Sequence, residues 1–280
     1  MNDVKATKYL TDFEAKQLIV EIGKRMYGRS MVAANDGNIS IKVGKNAFWT
    51  TPTGVSKGFM TPGMLVKVNM NGDVLSSAGA YRPSSEIKMH LRVYQENDQV
   101  NAVVHAHPMA ATSFAIAGYE LNHAILPEAI VTLGAVPIAP YATPGTQSVP
   151  DSIAPYVKTH NACMLANHGV LTWGRDIYEA WYRMESIEHF SQMLLNLQII
   201  GRVNELSCGQ VSKLLDIRDS LGVTTGGAPP CSTQESNLHS FETFPLPGKT
   251  PDMSSVSLSN DDLQSLIEKI SDTMIKQMKE

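Results

Sequence analysis

The chain has 280 residues, 43% apolar and 18% charged, enough for one substantial hydrophobic core with a smaller appendage. Its formal net charge of -4 offers no broad cationic face, which argues against nucleic acid as a partner. No run of about 18 apolar residues marks a membrane span, and the opening "MNDVKATKYLTDFEAK" is too polar for a signal peptide, so the expected setting is cytoplasmic, with no membrane partner.

From Asp12 to Met26 the apolar positions keep helical spacing, with Thr11 or Asp12 placed as cap. "NISIKVGKNAFWTTP" and "LVKVNMNGDVL" alternate like hairpins, the second turning at Asn71-Gly72, which implies antiparallel pairing. A helix from Ser84 to about Glu96 is expected next, then a strand "NAVVHAH", a helix after Pro108, a strand near Ala135 to Ala139 and a strand "ACMLAN". A long helix follows from about Ile177 to Ile200. This order, without a regular βαβ rhythm, predicts a single α/β domain with a largely antiparallel central sheet flanked by helices. The domain spans residues 1–210, a linker 211–259, Gly/Pro/Ser-rich in its later part, and an amphipathic helix 260–280. Cys163, Cys208 and Cys231 are odd in number, widely spaced and without CxxC spacing, so they read as reduced thiols.

Chemistry concentrates at three histidines. On a strand, positions i and i+2 share a face, so His105 and His107 aim their imidazoles together. His168 follows another apolar strand and precedes a glycine suited to a sharp turn. Three imidazoles from two strand ends can converge on one zinc-like ion, with Glu86 in "YRPSSEIKMH" as the candidate fourth ligand, although a carboxylate in a helix's first turn also has an ordinary capping explanation. "NDGNIS" with Gly37 and Asn38, "TPTG" with Thr53 and Gly54, and "PSS" with Ser84 and Ser85 pair exposed N–H groups with short side-chain donors, the chemistry that binds phosphate.

Gly-Asn-x-Ser, Thr-Pro-x-Gly, Pro-Ser-Ser-Glu, His-x-His-Pro and Asn-His-Gly, in this order across about residues 10–205, resemble the class II sugar-phosphate aldolase family. That family also takes in ribulose-phosphate epimerases and the adducin head domain. The resemblance implies a Zn²⁺ site of His105, His107 and His168 with Glu86 as ligand or acid/base, and a phosphate pocket from Gly37, Asn38, Thr53, Gly54, Ser84 and Ser85. It also implies a homotetramer acting on a phosphorylated ketose. An adducin-like structural head lacks the metal histidines that this chain carries.

Glu86, where epimerases of the family tend to have Asp, and Ile130, where they place a further catalytic Asp, favour aldol cleavage over epimerisation. The nearest resemblance is to L-fuculose-phosphate aldolase, and L-fuculose 1-phosphate or L-rhamnulose 1-phosphate would yield dihydroxyacetone phosphate and lactaldehyde. A tyrosine that those enzymes contribute from a neighbouring subunit falls on Leu126 here, which leaves the partner of the departing aldehyde open between Tyr141 and Glu128. A methylthioribulose-phosphate dehydratase would use nearly the same pocket.

At the C-terminus, Leu263, Leu266, Ile267, Ile270, Met274 and Met278 form one apolar stripe. So short a helix needs a partner for that stripe, either the enzyme body or something else. A linker ending in such a helix resembles the encapsulation peptides that load enzymes into bacterial microcompartments, which implies a shell-protein partner for residues 260–280 and a microcompartment lumen as destination.

Overall fold

Helix α1 (Asp12–Gly28) begins with a reciprocal cap, in which Thr11 Oγ1 accepts the Glu14 N–H while the Glu14 carboxylate accepts the Thr11 N–H at 2.8 Å. Within its stripe Ile19, Ile22 and Met26 are fully buried, and side chains of that size contribute about 1.5–3 kcal/mol each when removed from water, while Phe13 at its start is exposed. In this computed structural model residues 9–231 and the backbone of 238–240 are described. The helix anticipated over 260–280 lies outside the described residues.

The two anticipated hairpins form as β1 (Asn38–Gly44) with β2 (Ala47–Thr50) and β3 (Val66–Val68) with β4 (Val74–Ser77). Helix α2 (Ile87–Glu96) then leads to β5 (Ala102–Ala106) and α3 (Met109–Ala117). After short helix α4 (Pro127–Thr132) come β6 (Ile138–Ala139), α5 (Ser148–Ile153), β7 (Ala162–Leu165) and β8 (Gly169–Gly174). The long helix α6 (Ile177–Ile200), capped by Asp176, is followed by β9 (Arg202–Asn204), α7 (Cys208–Ser220) and β10 (Leu238–Ser240), which pairs with β9.

The main sheet runs β4-β3-β2-β1-β5-β8-β7-β6, antiparallel at every junction except the parallel β6–β7 pair. The fold is thus a mixed α/β domain with a central sheet flanked by helices, as the sequence pattern predicts. Val103, Leu171 and Trp173 pack with residues of α2 and α5 in one apolar cluster. The alternate residue Thr172 faces the other way and donates its hydroxyl to Ala180 O of α6 at 2.7 Å.

Several expectations need correction. Strand β8, unanticipated, is a central strand: "VLTWG" is buried on both faces and lacks the polar alternation that marks a half-exposed strand. The turn before it is made by Asn167, at φ 57°, whereas Gly169 serves close packing, since a Cβ there would lie 2.5 Å from both Ala106 O and the His107 ring. The strand expected from Ala135 shrinks to Ile138–Ala139 because Ala135 and Val136 instead bond Gly226 O and Leu121 O. Helix α7 extends to Ser220, ten residues into the expected linker, because Val211, Leu214 and Leu215 pack on Ala124 and Ile130. Cys208 and Cys231 form a disulfide with Cα atoms 5.0 Å apart, while Cys163 is free and buried. Separation in sequence does not measure separation in space, and the return of 221–231 against the domain closes that gap.

Candidate active site

The histidines converge because β1, β5 and β8 are neighbours and end on the same side of the sheet. Asn38 pairs with His105 across β1–β5, and His105 pairs with Leu171 across β5–β8, so His168, just ahead of β8, arrives beside them. Ring centroids lie 4.9 Å apart for His105–His107, 4.8 Å for His105–His168 and 5.1 Å for His107–His168. One ligand atom from each falls within 4.8 Å of the other two, a spacing that could hold a metal ion. His107 sits just beyond β5 rather than in it, held by its N–H to Met31 O at 2.9 Å.

Hydrogen bonds orient the rings. His105 Nδ1 lies 2.9 Å from Val170 O, and since a carbonyl only accepts, that nitrogen carries the proton and Nε2 keeps its lone pair. That Nε2 stands 3.1 Å from His107 Nε2, while His107 Nδ1 faces Asp36 Oδ2 at 3.5 Å. Partners on the outer nitrogens with inner nitrogens converging are the arrangement that prepares imidazoles for a cation. Burial pushes His105 down to about 3, against the pull of Glu86, so its imidazole is neutral. Burial also lowers His107.

Glu86 completes the group. Its Oε1 lies 3.0 Å from His168 Nε2 and its Oε2 3.5 Å from His105 Nε2, and Asn38 Nδ2 donates to Oε2 at 2.7 Å. Burial alone would raise this carboxyl, but His105 and His168 beside it and the Asn38 amide hold it well below the usual carboxylate range. The expected helix start at Ser84 is corrected to Ile87, because Ile87 N–H bonds Ser84 O and Met89 N–H bonds Glu86 O in a tight turn. Glu86 therefore stands at the helix entrance with its carboxylate turned to the histidines and makes no side-chain cap.

All six residues expected around phosphate line one cavity of about 220 Å³ that also touches Glu86, His107 and His168. Asn38 joins the two halves, since the amide that holds Glu86 also donates to Ser84 Oγ at 3.3 Å. Gly37 has φ 75°, and a Cβ there would come 2.9 Å from His105 O, so this turn lies directly against the histidine strand.

Two charged cavity residues, Asp36 and Lys57, are not singled out by sequence. Asp36 lay inside the quoted "NDGNIS", where an acidic turn residue is unremarkable. Lys57 is buried, donating to Asn35 O at 2.7 Å and Val55 O at 2.8 Å, so its ammonium links the turn before Gly37 to the turn after Gly54. Burial lowers it to about 8, opposed by Asp36 and Glu86. Nothing in "GVSKGF" signals this, because the carbonyl of Asn35 that takes the ammonium comes from a turn 22 residues earlier.

Residues 17–195 match the family described as class II aldolase and adducin N-terminal domain, and the chain belongs to that family. An L-fuculose phosphate aldolase of Methanococcus maripaludis is 33% identical, over 62% of this chain and 92% of that protein. A 3-oxo-tetronate 4-phosphate decarboxylase of Haemophilus influenzae is 31% identical, over 68% of this chain and 90% of that one. The crystal structure of YgbL from Klebsiella pneumoniae superposes with a TM-score of 0.68 at 26% identity, covering 73% of this chain and 99% of that one.

Proposed function

We propose that this class II aldolase family member is a zinc-dependent lyase that cleaves a ketose 1-phosphate such as L-fuculose 1-phosphate or L-rhamnulose 1-phosphate to dihydroxyacetone phosphate and lactaldehyde. The observation that carries the reading is the position of Glu86, one carboxylate in reach of two histidines and tied through Asn38 to the phosphate cavity. His105, His107 and His168 fit a divalent ion, because the neutral, oriented His105 leaves its inner lone pair facing the other two rings. When bound, such an ion supplies a Lewis acid toward the substrate's ketone. Three imidazoles with a position left for substrate suit zinc.

The chain's own residues do the rest. Gly37, Asn38, Thr53, Gly54, Ser84 and Ser85 present neutral donors to the phosphate, and Lys57 adds the charge that a dianion needs beside Asp36 and Glu86. Anchoring the phosphate there sets C3 of the substrate toward Glu86. Cleavage of C3–C4 leaves an electron pair at C3, and the proton lost from the C4 hydroxyl is the one C3 must regain. Glu86 is the group placed to return it.

A second reading, decarboxylation of a 3-oxo acid 4-phosphate, is supported by the decarboxylase relative and by the cavity lining, which holds no tyrosine among the described residues. Carbon dioxide leaves without a hydroxyl to deprotonate, and the product is again dihydroxyacetone phosphate. Offering the purified protein L-fuculose 1-phosphate, L-rhamnulose 1-phosphate and 3-oxo-tetronate 4-phosphate, with triose phosphate, lactaldehyde and carbon dioxide measured, separates the two. Triose phosphate with lactaldehyde supports the aldolase, triose phosphate with carbon dioxide the decarboxylase, and its absence from every reaction rejects both.

The same reading includes a homotetrameric assembly and an association of residues 260–280 with a microcompartment shell protein. Removing residues 258–280 then leaves catalysis intact and abolishes shell association. A truncated enzyme that loses activity instead assigns the segment to the enzyme body.

A further inference from the structure

Helix α3 starts at Met109, two residues after His107, and its N-terminus has no cap of its own, because Pro108 occupies the N-cap position and supplies no side-chain bond. The missing acceptor comes from another part of the chain. Glu188, in the middle of α6, is 6% exposed and accepts the N–H of Ala110 on Oε1 at 3.1 Å and the N–H of Ala111 on Oε2 at 3.0 Å. Gln192, one turn on, donates its amide to Oε1 at 3.0 Å. No Lys or Arg ion pair with Glu188 occurs among the described residues, so its charge rests on two backbone N–H groups, one amide and the positive end of α3.

Leaving a carboxylate in such a place forfeits its hydration unless every acceptor is used well. A buried charge is a demanding way to hold one short helix, and α3 is no ordinary helix in this fold. Its entrance follows the His107-Pro108 turn. Near its exit, Ala115 O accepts the N–H of Asn167, the left-handed residue immediately before His168. One nine-residue helix therefore touches both loops that bring His107 and His168 to the cluster. The third histidine, His105, is fixed independently within the β1–β5–β8 ladder.

We propose that Glu188 is a positioning residue for the histidine cluster, setting the two loop-borne arms, His107 and His168, against the strand-borne His105 by capping helix α3. The carboxylate acts through two backbone N–H groups, and a shift of α3 along its axis would move both arms together. A displacement below 1 Å is enough to spoil a metal geometry whose ligand distances tolerate about 0.2 Å.

The proposal rests on the reading that His105, His107 and His168 hold a divalent metal, and its test is metal binding by the full-length protein. Glu188→Gln and Glu188→Ala are stripped of metal and titrated with Co²⁺ and Zn²⁺ against a competing chelator, with the Co²⁺ visible spectrum recorded and the thermal midpoint of each metal-free protein measured. Glu188→Ala is expected to weaken metal binding about 10- to 100-fold, the usual effect of losing a group that orients metal ligands. Glu188→Gln keeps one carbonyl acceptor and is expected to fall between, which preserves the test if the alanine variant does not fold. An altered Co²⁺ spectrum in the glutamine variant supports the proposal directly. Metal affinity and spectrum equal to wild type, with only the metal-free midpoint lowered, would overturn it and leave Glu188 a structural cap. Failure of the wild-type protein to bind either metal would reject the histidine reading and this proposal with it.

Discussion

Two buried polar regions lie one helical turn apart. In the first, His105 meets His107, His168 and Glu86. In the second, His90, four residues after Glu86, bonds Ser40 Oγ through Nδ1 at 2.8 Å, and Ser40 Oγ lies 2.8 Å from Tyr94 OH. His105 and His90 are both completely buried, and burial drives each down to about 3. By exposure and titration they are indistinguishable. The difference is what the second nitrogen faces, since His105 Nε2 looks at His107 and Glu86 while His90 Nε2 is buried with no hydrogen-bond partner among the described residues. A perturbed pKa therefore does not identify the site. Convergence of several donors does.

That comparison breaks first if histidine substitutions behave alike. His105→Ala is expected to abolish metal binding and to lower turnover by at least about 10³-fold, in keeping with a ligand that contributes to the binding free energy directly. His90→Leu is expected to keep full metal content by elemental analysis. Equal metal loss in both would make His90 part of the centre.

Glu86→Gln sharpens the contrast within the cluster. It is expected to fold and retain some metal while losing carbon–carbon cleavage by about 10²-fold or more, the scale of a lost general acid/base. Near-normal turnover would reduce Glu86 to a turn residue. Smaller effects are expected in the cavity proposed to take phosphate, where Asn38→Ala or Lys57→Met should raise KM about 10-fold or more, corresponding to one hydrogen bond to a charged group. An unchanged KM in both would remove the phosphate assignment. Asn38→Ala should also lower kcat, because the same amide holds Glu86.

The effect at His90 is read in stability and leaves the chemistry untouched. Its folded value of about 3 lies below the ordinary 6.5, so between those pH values the unfolded chain takes up a proton that the folded chain refuses. Stability therefore falls as pH drops through that window, by up to about 1.4 kcal/mol per pH unit for each such proton, and is unaffected by this group above it. Denaturant unfolding of metal-free His90→Leu is expected to show a shallower acid slope than wild type, with about 1–3 kcal/mol lost at neutral pH from the broken Ser40 contact. An unchanged slope would show that His90 is protonated in the fold.

Features set within one stretch of chain are legible in the sequence. The stripe of α1, the two hairpins, the long α6 and the five short motifs around the site were visible because each is set by neighbours a few residues away, through periodicity, turn chemistry or donor spacing. The order of strands was not. Nothing in "VLTWG" shows that it pairs with "AVVHA", yet that pairing places His168 beside His105. Glu188 sits amid α6 as an unremarkable acid until α3 packs against it, and Lys57 is an ordinary loop lysine until the turn at Asn35 meets its ammonium. Cys208 and Cys231 look unpaired in sequence for the same reason, since their meeting depends on how 221–231 returns to the domain. Local sequence determined which chemical groups were present and how each segment is shaped. Only the tertiary structure decided which groups meet, because burial, pairing and electrostatic compensation are properties of contacts between segments that the chain order leaves open.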